Sequence, residues 1–277
     1  MTIEQFAELA IAEDEGNGDH TSLACIPKDA KNKAMLLVKE SGIIAGIEIA
    51  EKIFKSIDQD LKIEIHKKDG DVVVKGDIAF FVEGNSRSIL LAERLVLNIM
   101  QRMSGIATIT NKVVKQLAGL KTKVLDTRKT TPLLRNLEKQ AVKTGGGENH
   151  RMGLYDMILI KDNHVDYAGG ISNAINSAKK YLDENKLPLK IEIETRSLEE
   201  VKQVIENGKA NRIMLDNFSL EDLHKAVILI NGKYETEASG GITLENARSF
   251  AESGVDYISL GALTHSVKSI DLSLKAC

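Results

Sequence analysis

From residue 121 onward, short aliphatic and β-branched runs recur about every 21 to 34 residues, and this rhythm limits the possible folds more than any other feature. The runs are KVLDT (123–127), MILIK (157–161), IEIET (191–195), RIMLD (212–216), TEASG (236–240) and YISLG (257–261). Apolar residues at helical spacing separate them, as at Ile171, Ile175 and Leu182. Alternating strands and helices predict a parallel sheet covered by helices, and six such units predict an incomplete or complete β/α barrel.

The first 105 residues lack this rhythm and predict a separate α+β domain. Thr2 to about Glu13 has the pattern of a capped helix, and a long helix is predicted from Ser88 to Gly105. Antiparallel strands are predicted in AMLLVKESG, LKIEIHKK, DVVVKG and IAFFVEG, with Lys68-Asp69-Gly70 as a hairpin turn. We therefore expect an N-terminal domain over residues 1–105 and a barrel domain over residues 106–265.

Composition excludes several other classes of protein. The two cysteines, Cys25 and Cys277, lie in no CxxC motif, which argues against a disulfide framework and against a cysteine zinc site. No apolar run reaches 18 residues, and the acidic N-terminus lacks the basic stretch of a signal peptide, so we expect a cytoplasmic protein. A net charge of −3 and the absence of tryptophan disfavour a nucleic-acid-binding protein.

Polar residues gather where the predicted strands end. The segment 121–170 is locally basic, with nine Lys or Arg against six Asp or Glu. In a β/α barrel the carboxyl ends of the strands form the active-site face, so residues far apart in the chain meet there. The residues that follow the strands, or precede the second one, are Asp126, Thr127, Arg128, Lys129, His150, Arg151, Lys161, Asp162, Asn163, His164, Glu194, Asp216, Ser239, Gly240, Gly241, Gly261, Ala262, Leu263, Thr264 and His265.

This set combines three kinds of chemistry. Arginine offers a rigid fork to carboxylates and phosphates, and lysine offers a point charge. Glu194 and Asp216 supply the hard oxygen ligands that Mg²⁺ prefers. The glycine turns after the last two strands match the usual phosphate site of such barrels. Each residue alone has an ordinary structural explanation, but together they predict a phosphorylated, polyanionic substrate and a divalent metal.

Longer motifs resemble those of the quinolinate phosphoribosyltransferase family. They are LDTRKTTPLLR (125–135), KTGGGENHRMGLYDMILIKDNH (143–164), IEIET, MLDNF (214–218), EASGGIT (237–243) and SLGALTHS (259–266), with EDEGNGDHTS (13–22) and AERLVLNIMQRMSGIAT (92–108) in the first domain. The resemblance implies an N-terminal α/β sandwich, rejoined by the tail 266–277, and an open barrel of about seven strands. It also implies that quinolinate and phosphoribosyl pyrophosphate give nicotinate mononucleotide, pyrophosphate and CO₂, with Mg²⁺, in NAD biosynthesis.

The resemblance also implies roles for individual residues. The quinolinate pocket is expected to contain Arg128, His150, Arg151 and Lys161, joined by Arg94 from a neighbouring subunit of a homodimer or higher homo-oligomer. The phosphoribosyl donor is expected to contact Thr127, Lys129, Glu194, Asp216, Ser239, Gly240, Gly241, Gly261, Ala262, Leu263, Thr264 and His265. Lys161, Glu194 and Asp216 are expected to be catalytic, and the two carboxylates to hold Mg²⁺ directly or through water.

Three other functions stay open at the level of sequence. The same scaffold could serve a related protein of molybdenum transport, although the complete set of cations argues against it. A barrel aldolase or isomerase could use Lys161 as a Schiff base. A non-catalytic assembly protein could keep the fold without turnover.

Overall fold

A computed structural model describes residues 2–277, which divide into two compact units. One unit contains residues 2–109, 143–145 and 267–277, and the other contains residues 110–142 and 146–266. The domain limits expected from the sequence, 105/106 and 265/266, lie within four residues of these divisions.

The elements alternate differently in the two parts of the chain. Those in the first part are α1 (Ile3–Glu15), α2 (His20–Cys25), β1 (Lys31–Val38), β2 (Gly42–Ile43), α3 (Ile47–Ile57), β3 (Lys62–Ile65), β4 (Val72–Val73), β5 (Ile78–Asn85) and α4 (Ser86–Gln116). Those that follow are β6 (Lys123–Leu125), α5 (Arg135–Thr144), β7 (Ile158–Ile160), α6 (Asp162–Ala168), α7 (Ile171–Asn185), β8 (Ile191–Thr195), α8 (Leu198–Asn207), β9 (Arg212–Asp216), α9 (Leu220–Ile230), β10 (Glu235–Ser239), α10 (Ala247–Glu252), β11 (Tyr257–Ser259), α11 (Ala262–His265) and β12 (Leu272–Ala276).

The first unit is built on an antiparallel sheet with the strand order β12-β1-β5-β3. The C-terminal strand β12 therefore lies at one edge, beside β1. Helix α3 covers apolar residues of this unit, and its Phe54 meets Phe80 of β5 edge to face, with ring centroids 5.9 Å apart. Helix α1 begins with the capping box of Thr2 and Gln5, as its sequence predicts.

The predicted hairpin at Lys68-Asp69-Gly70 is wrong. Strand β3 pairs with β5, whereas β4 pairs with β2, so the two strands beside this turn are not partners. The turn is held instead by the start of α3, because Asp69 Oδ1 accepts from the Ile47 N–H at 2.8 Å and the Gly70 N–H donates to Ile44 O at 2.9 Å. Turn residues specify where the chain bends, but not which strand becomes the neighbour.

Two helices differ in length from their sequence predictions. Helix α4 continues past Gly105, where a Cβ atom would lie 2.3 Å from Lys268 O, so this glycine permits close packing rather than ending the helix. Thr131 followed by Pro132 has the pattern of a helix start, but helix α5 begins at Arg135, and Leu133 in between has a φ of 66°. Among residues 2–277, no helix is both long and apolar enough for a membrane span.

The second unit contains a fully parallel sheet with the strand order β6-β11-β10-β9-β8-β7. All six strands predicted from the rhythm are present. A parallel bridge joins Leu125 of β6 to Glu148, in the chain that leads into β7. This bridge extends the β6 edge of the open β/α barrel, with Glu148 at the position of a seventh strand.

The strands of this sheet carry different chemistry on their two faces. In β8, Ile191 and Ile193 alternate with Glu192 and Glu194, although all but Glu194 are buried. Side chains of a strand alternate between faces, so the glutamates share the inner face with the residues that line the central pocket. The expectation of nearly continuous apolar strands therefore holds for the face that meets the helices, and not for the barrel interior.

Candidate active site

A pocket of about 500 Å³ lies at the carboxyl ends of the parallel strands. Twelve of the residues singled out from the sequence line it: Thr127, Arg128, Lys129, His150, Arg151, Lys161, Asp162, Glu194, Asp216, Ser239, Gly240 and Gly241. They come from the carboxyl ends of β8, β9 and β10, from the segments after β6, β7 and β10, and from the loop before β7. The tertiary structure thus brings together cations, carboxylates and a glycine turn that span more than a hundred positions of the chain.

Two groups of expected site residues do not line this pocket. Arg94 is an exposed residue of α4. The turn Gly261–His265 forms the short helix α11 beside Lys129, with Thr264 Oγ1 donating to Lys129 O at 2.8 Å. Leu263 and Thr264 are both buried, and Thr264 binds the backbone of Lys129 rather than lining the pocket.

Arg128 and Arg151 place two guanidinium groups in the pocket. Arg151 is nearly buried, and its Nη1 donates to Met157 O at 3.2 Å. Burial lowers the pKa of Arg151, and the charge of Arg128 lowers it further, which shows that the two cations are close. Arg128 Nε is buried and has no hydrogen-bond acceptor among residues 2–277. A bound anion would reduce the repulsion between the two guanidinium groups, and it would supply an acceptor for Arg128 Nε.

The loop that carries His150 and Arg151 is held by a buried ion pair. Asp126, directly after β6, pairs with Lys139 of α5, and neither side chain has more than 1% exposure. Asp126 Oδ1 accepts from the His150 N–H at 2.9 Å, and Lys139 Nζ donates to His150 O at 3.0 Å. The ion pair therefore binds both the backbone N–H and the backbone C=O of His150.

The His150 ring faces two buried glutamates of the barrel interior. Its Nε2 lies 3.0 Å from Glu192 Oε2 and 3.4 Å from Glu237 Oε2. Burial lowers the pKa of His150, whereas these two carboxylates raise it. The Arg151 N–H donates to Nδ1 at 2.7 Å and opposes this effect, because a second ring proton would have to occupy Nδ1. The contact with Arg151 therefore supports the neutral Nε2–H ring.

Glu194 and Asp216 form the acidic side of the pocket, and Lys161 lies beside them. Lys161 Nζ lies 4.0 Å from Glu194 Oε2. Burial raises the pKa of Glu194. The negative charge of Asp216 raises it further, because the two carboxylates lie close together in the pocket. Paired carboxylates at the end of neighbouring strands are a donor set that suits Mg²⁺.

A tight turn after β10 brings backbone close to Asp216. Gly240 has a φ of 90°, and a Cβ atom there would lie 2.2 Å from Asn217 Oδ1. Asn217 in turn donates from Nδ2 to Asp216 Oδ2 at 2.6 Å, and from its N–H to Ser239 O at 2.9 Å. Glycine is therefore required for Asn217 to pack beside the Asp216 carboxylate.

Sequence reasoning missed the polar interior of the barrel. It assigned no role to Glu192, Arg212 and Glu237, and it noted Asp126 without its partner Lys139. The alternation in IEIET was a usable signal, because residues two apart in a strand share a face and Glu192 must lie on the same face as Glu194. No local pattern links Asp126 to Lys139.

A parallel barrel that places arginines opposite two carboxylates and a glycine turn defines an enzyme of small, phosphorylated anions. Sequence and structure comparisons specify the family. A family model for the C-terminal domain of quinolinate phosphoribosyl transferase matches residues 106–275, and the model for its N-terminal domain matches residues 19–104. The chain belongs to the quinolinate phosphoribosyltransferase family.

Individual relatives agree with this assignment over nearly the whole chain. The mitochondrial quinolinate phosphoribosyltransferase [decarboxylating] 2 of Nicotiana glauca is 49% identical over 99% of this chain and 82% of its own. The chloroplastic nicotinate-nucleotide pyrophosphorylase [carboxylating] of Arabidopsis thaliana is 51% identical over 97% of this chain and 81% of its own. The solved nicotinate-nucleotide pyrophosphorylase of Francisella tularensis is 42% identical, with a TM-score of 0.93 over 99% of this chain and 96% of its own.

These comparisons confirm the family and the fold expected from the motifs. The expected cytoplasmic location stays a prediction, since the two plant relatives are named mitochondrial and chloroplastic. Mg²⁺, the homodimer and the roles of the individual residues also stay predictions.

Proposed function

We propose that this chain transfers the phosphoribosyl group of phosphoribosyl pyrophosphate to quinolinate, with loss of pyrophosphate and CO₂, to give nicotinate mononucleotide. The observation that carries the proposal is the pairing of Arg128 and Arg151 in one pocket with Glu194 and Asp216. A pyridine diacid needs fixed cations, and a sugar pyrophosphate needs a metal and a phosphate cradle.

The two arginines suit the two carboxylates of quinolinate. Each charge-assisted hydrogen bond contributes about 1.5–3 kcal/mol, so a few of them reach micromolar affinity after ordering costs. Leu159 and Met214 also line the pocket and offer apolar contact to a pyridine ring. The residues that line the pocket therefore suit the substrate in both charge and apolar surface.

The chemistry at the sugar requires positioning more than proton transfer. The pyridine nitrogen attacks C1 with its own lone pair while the C1–O bond to pyrophosphate breaks, so no general base is needed. The ring becomes cationic, and the bond from C2 to its carboxylate then breaks and releases CO₂. The carbanion that remains is stabilised by the adjacent N⁺, and Lys161 or a water supplies its proton.

The residues on the acidic side fit Mg²⁺. Glu194 and Asp216 offer hard oxygens, and a cation bound to both would relieve the burial of Glu194 and its repulsion from Asp216, which together raise the pKa of Glu194. Mg²⁺ would neutralise the leaving pyrophosphate. Ser239, Gly240 and Gly241, at the end of β10, are the proposed holders of the 5′-phosphate.

A Schiff-base role for Lys161 is less well supported. An amine that attacks a carbonyl substrate is usually desolvated or close to another cation, which lowers its pKa. The Lys161 side chain is 51% exposed, and its neighbour at 4.0 Å is the carboxylate of Glu194. Lys161 is therefore neither desolvated nor beside another cation, and it is accessible to an anionic substrate.

A direct assay tests the proposed function. We expect quinolinate, phosphoribosyl pyrophosphate and Mg²⁺ to yield nicotinate mononucleotide and CO₂, and nicotinate, which lacks the 2-carboxylate, to react poorly. Turnover of nicotinate at the rate of quinolinate, or no turnover by a folded protein, would contradict the proposal.

Asp216→Asn tests the metal role. We expect the KM for phosphoribosyl pyrophosphate, measured against Mg²⁺ concentration, to rise about tenfold or more, because a neutral amide is a weaker Mg²⁺ ligand. The KM for quinolinate should change by less than about twofold. Equal changes in both constants would argue against a metal role for this carboxylate.

Mixed subunits test the proposed contribution of Arg94 across an interface. We expect Arg94→Ala and Lys161→Ala to be inactive separately and to recover some activity when mixed, because a mixed dimer would contain one intact site. Subunit exchange must be shown independently with differently tagged copies. Exchange without recovered activity would exclude a site shared in this way.

A further inference from the structure

Four charged or titratable side chains meet in the barrel interior, where solvent does not reach two of them. Glu192 of β8 and Glu237 of β10 have no exposed surface. His150 contacts both glutamates from the side of the pocket. Arg212 of β9 supplies the positive charge, with Nη1 3.2 Å from Glu237 Oε2 and 3.8 Å from Glu192 Oε2. Burying two carboxylates costs free energy unless positively charged or hydrogen-bonding groups pair with them. The presence of this cluster in the barrel interior therefore points to a specific role.

The position of the ring proton decides what this group can do. Nδ1 of His150 accepts from the Arg151 N–H, so the single proton of the neutral ring lies on Nε2 and faces the glutamates. Neither carboxylate contact is aligned as a hydrogen bond, so the attraction is electrostatic and shared between both.

The same observation argues against a metal at these residues. His150, Glu192 and Glu237 have the composition and the spacing of a metal site. A metal ligated by Nε2 would leave the proton on Nδ1, where it would face the Arg151 N–H at 2.7 Å. Arg212 also already supplies a positive charge to Glu237.

We propose that Glu192 and Glu237 are positioning residues, which hold the His150 proton on Nε2 and thereby keep Nδ1 as the acceptor for the Arg151 N–H. The result is a fixed backbone for Arg151, whose guanidinium is anchored separately by Met157 O. Arg212 keeps Glu237 charged and in place. The inference rests on the proposed function, because Arg151 matters here as the residue that binds the diacid.

A double-mutant cycle tests this chain of contacts. Glu237→Gln removes the charge but keeps the shape, and we expect kcat/KM for quinolinate to fall about tenfold, as is typical for residues that orient a ligand-binding side chain. The KM for phosphoribosyl pyrophosphate should change by less than about twofold. In His150→Asn, an amide oxygen can accept from the Arg151 N–H without help from Glu237. Adding Glu237→Gln to that background should therefore change kcat/KM by less than about twofold.

Glu235→Gln is the matched control. Glu235 lies two residues earlier in the same strand and also binds Arg212, at 3.0–3.1 Å, but it is partly exposed, whereas the ion-pair contacts of the His150 ring are to Glu192 and Glu237. We expect its kinetics to match those of the wild type. Equal losses from Glu237→Gln in both backgrounds, or equal losses for both substrates, would overturn the proposal.

A spectroscopic measurement keeps the proposal testable if the variants fold poorly. Nitrogen NMR of the histidine rings, with His150 assigned from the signal lost in His150→Asn, should show a neutral ring protonated on Nε2 at pH 7.5. A ring protonated on Nδ1, or on both nitrogens, would overturn the proposal. This measurement uses no substrate, so it separates failure of the positioning role from failure of the proposed reaction.

Discussion

Replacing Lys139 with alanine is expected to lower the free energy of unfolding by about 3–5 kcal/mol, because it leaves Asp126 charged and buried without its partner. Asp126 has no exposed surface, and burial already raises its pKa despite the charge of Lys139. Chemical denaturation followed by circular dichroism measures the change. The His150 loop would also lose one of the two contacts on its backbone.

Two further variants show whether the loss comes from the buried charge. Lys143→Ala removes an exposed lysine of the same helix and should cost less than about 0.5 kcal/mol. The double variant Asp126→Asn/Lys139→Met removes both charges and should be more stable than Lys139→Ala. A loss from Lys139→Ala no larger than that from Lys143→Ala would contradict the role given to the pair.

Arg151→Lys is expected to lower kcat/KM for quinolinate by about 10- to 100-fold, which corresponds to one or two charged hydrogen bonds. The Arg151 guanidinium donates to Met157 O and has further N–H groups in the pocket, whereas a lysine ammonium lacks the planar fork. Steady-state kinetics with each substrate varied in turn measure the effect. The loss should fall on quinolinate rather than on phosphoribosyl pyrophosphate.

The control for this substitution is Arg248→Lys. Arg248 is a helix residue that pairs with Glu252 on the surface, and it does not line the pocket. Its kinetics should be unchanged. Arg151→Lys with the kinetics of the wild type would remove Arg151 from the substrate site and would also remove the basis for the positioning role of Glu237.

The parallel strands were predictable because their periodicity is local. Each run such as MILIK or RIMLD is short, apolar and followed by a helical pattern, and all six became strands of one sheet. The pocket residues were predictable for a related reason, since parallel strands present their carboxyl ends at one edge. The predicted hairpin at Lys68–Gly70 is wrong because strand pairing depends on residues that are distant in the sequence. Strand β3 pairs with β5, and not with the strand that follows the turn.

The sequence by itself determined the family, the β/α alternation and the cations and carboxylates at the strand ends, because these depend on residue type and on spacing within single segments. Only the tertiary structure decided which polar residues are buried together. Lys139 reaches Asp126 across 13 positions and Arg212 reaches Glu237 across 25, through folds of the chain that no local pattern encodes. Burial then gives these ion pairs their strength, because removal from water makes each charge depend on its partner.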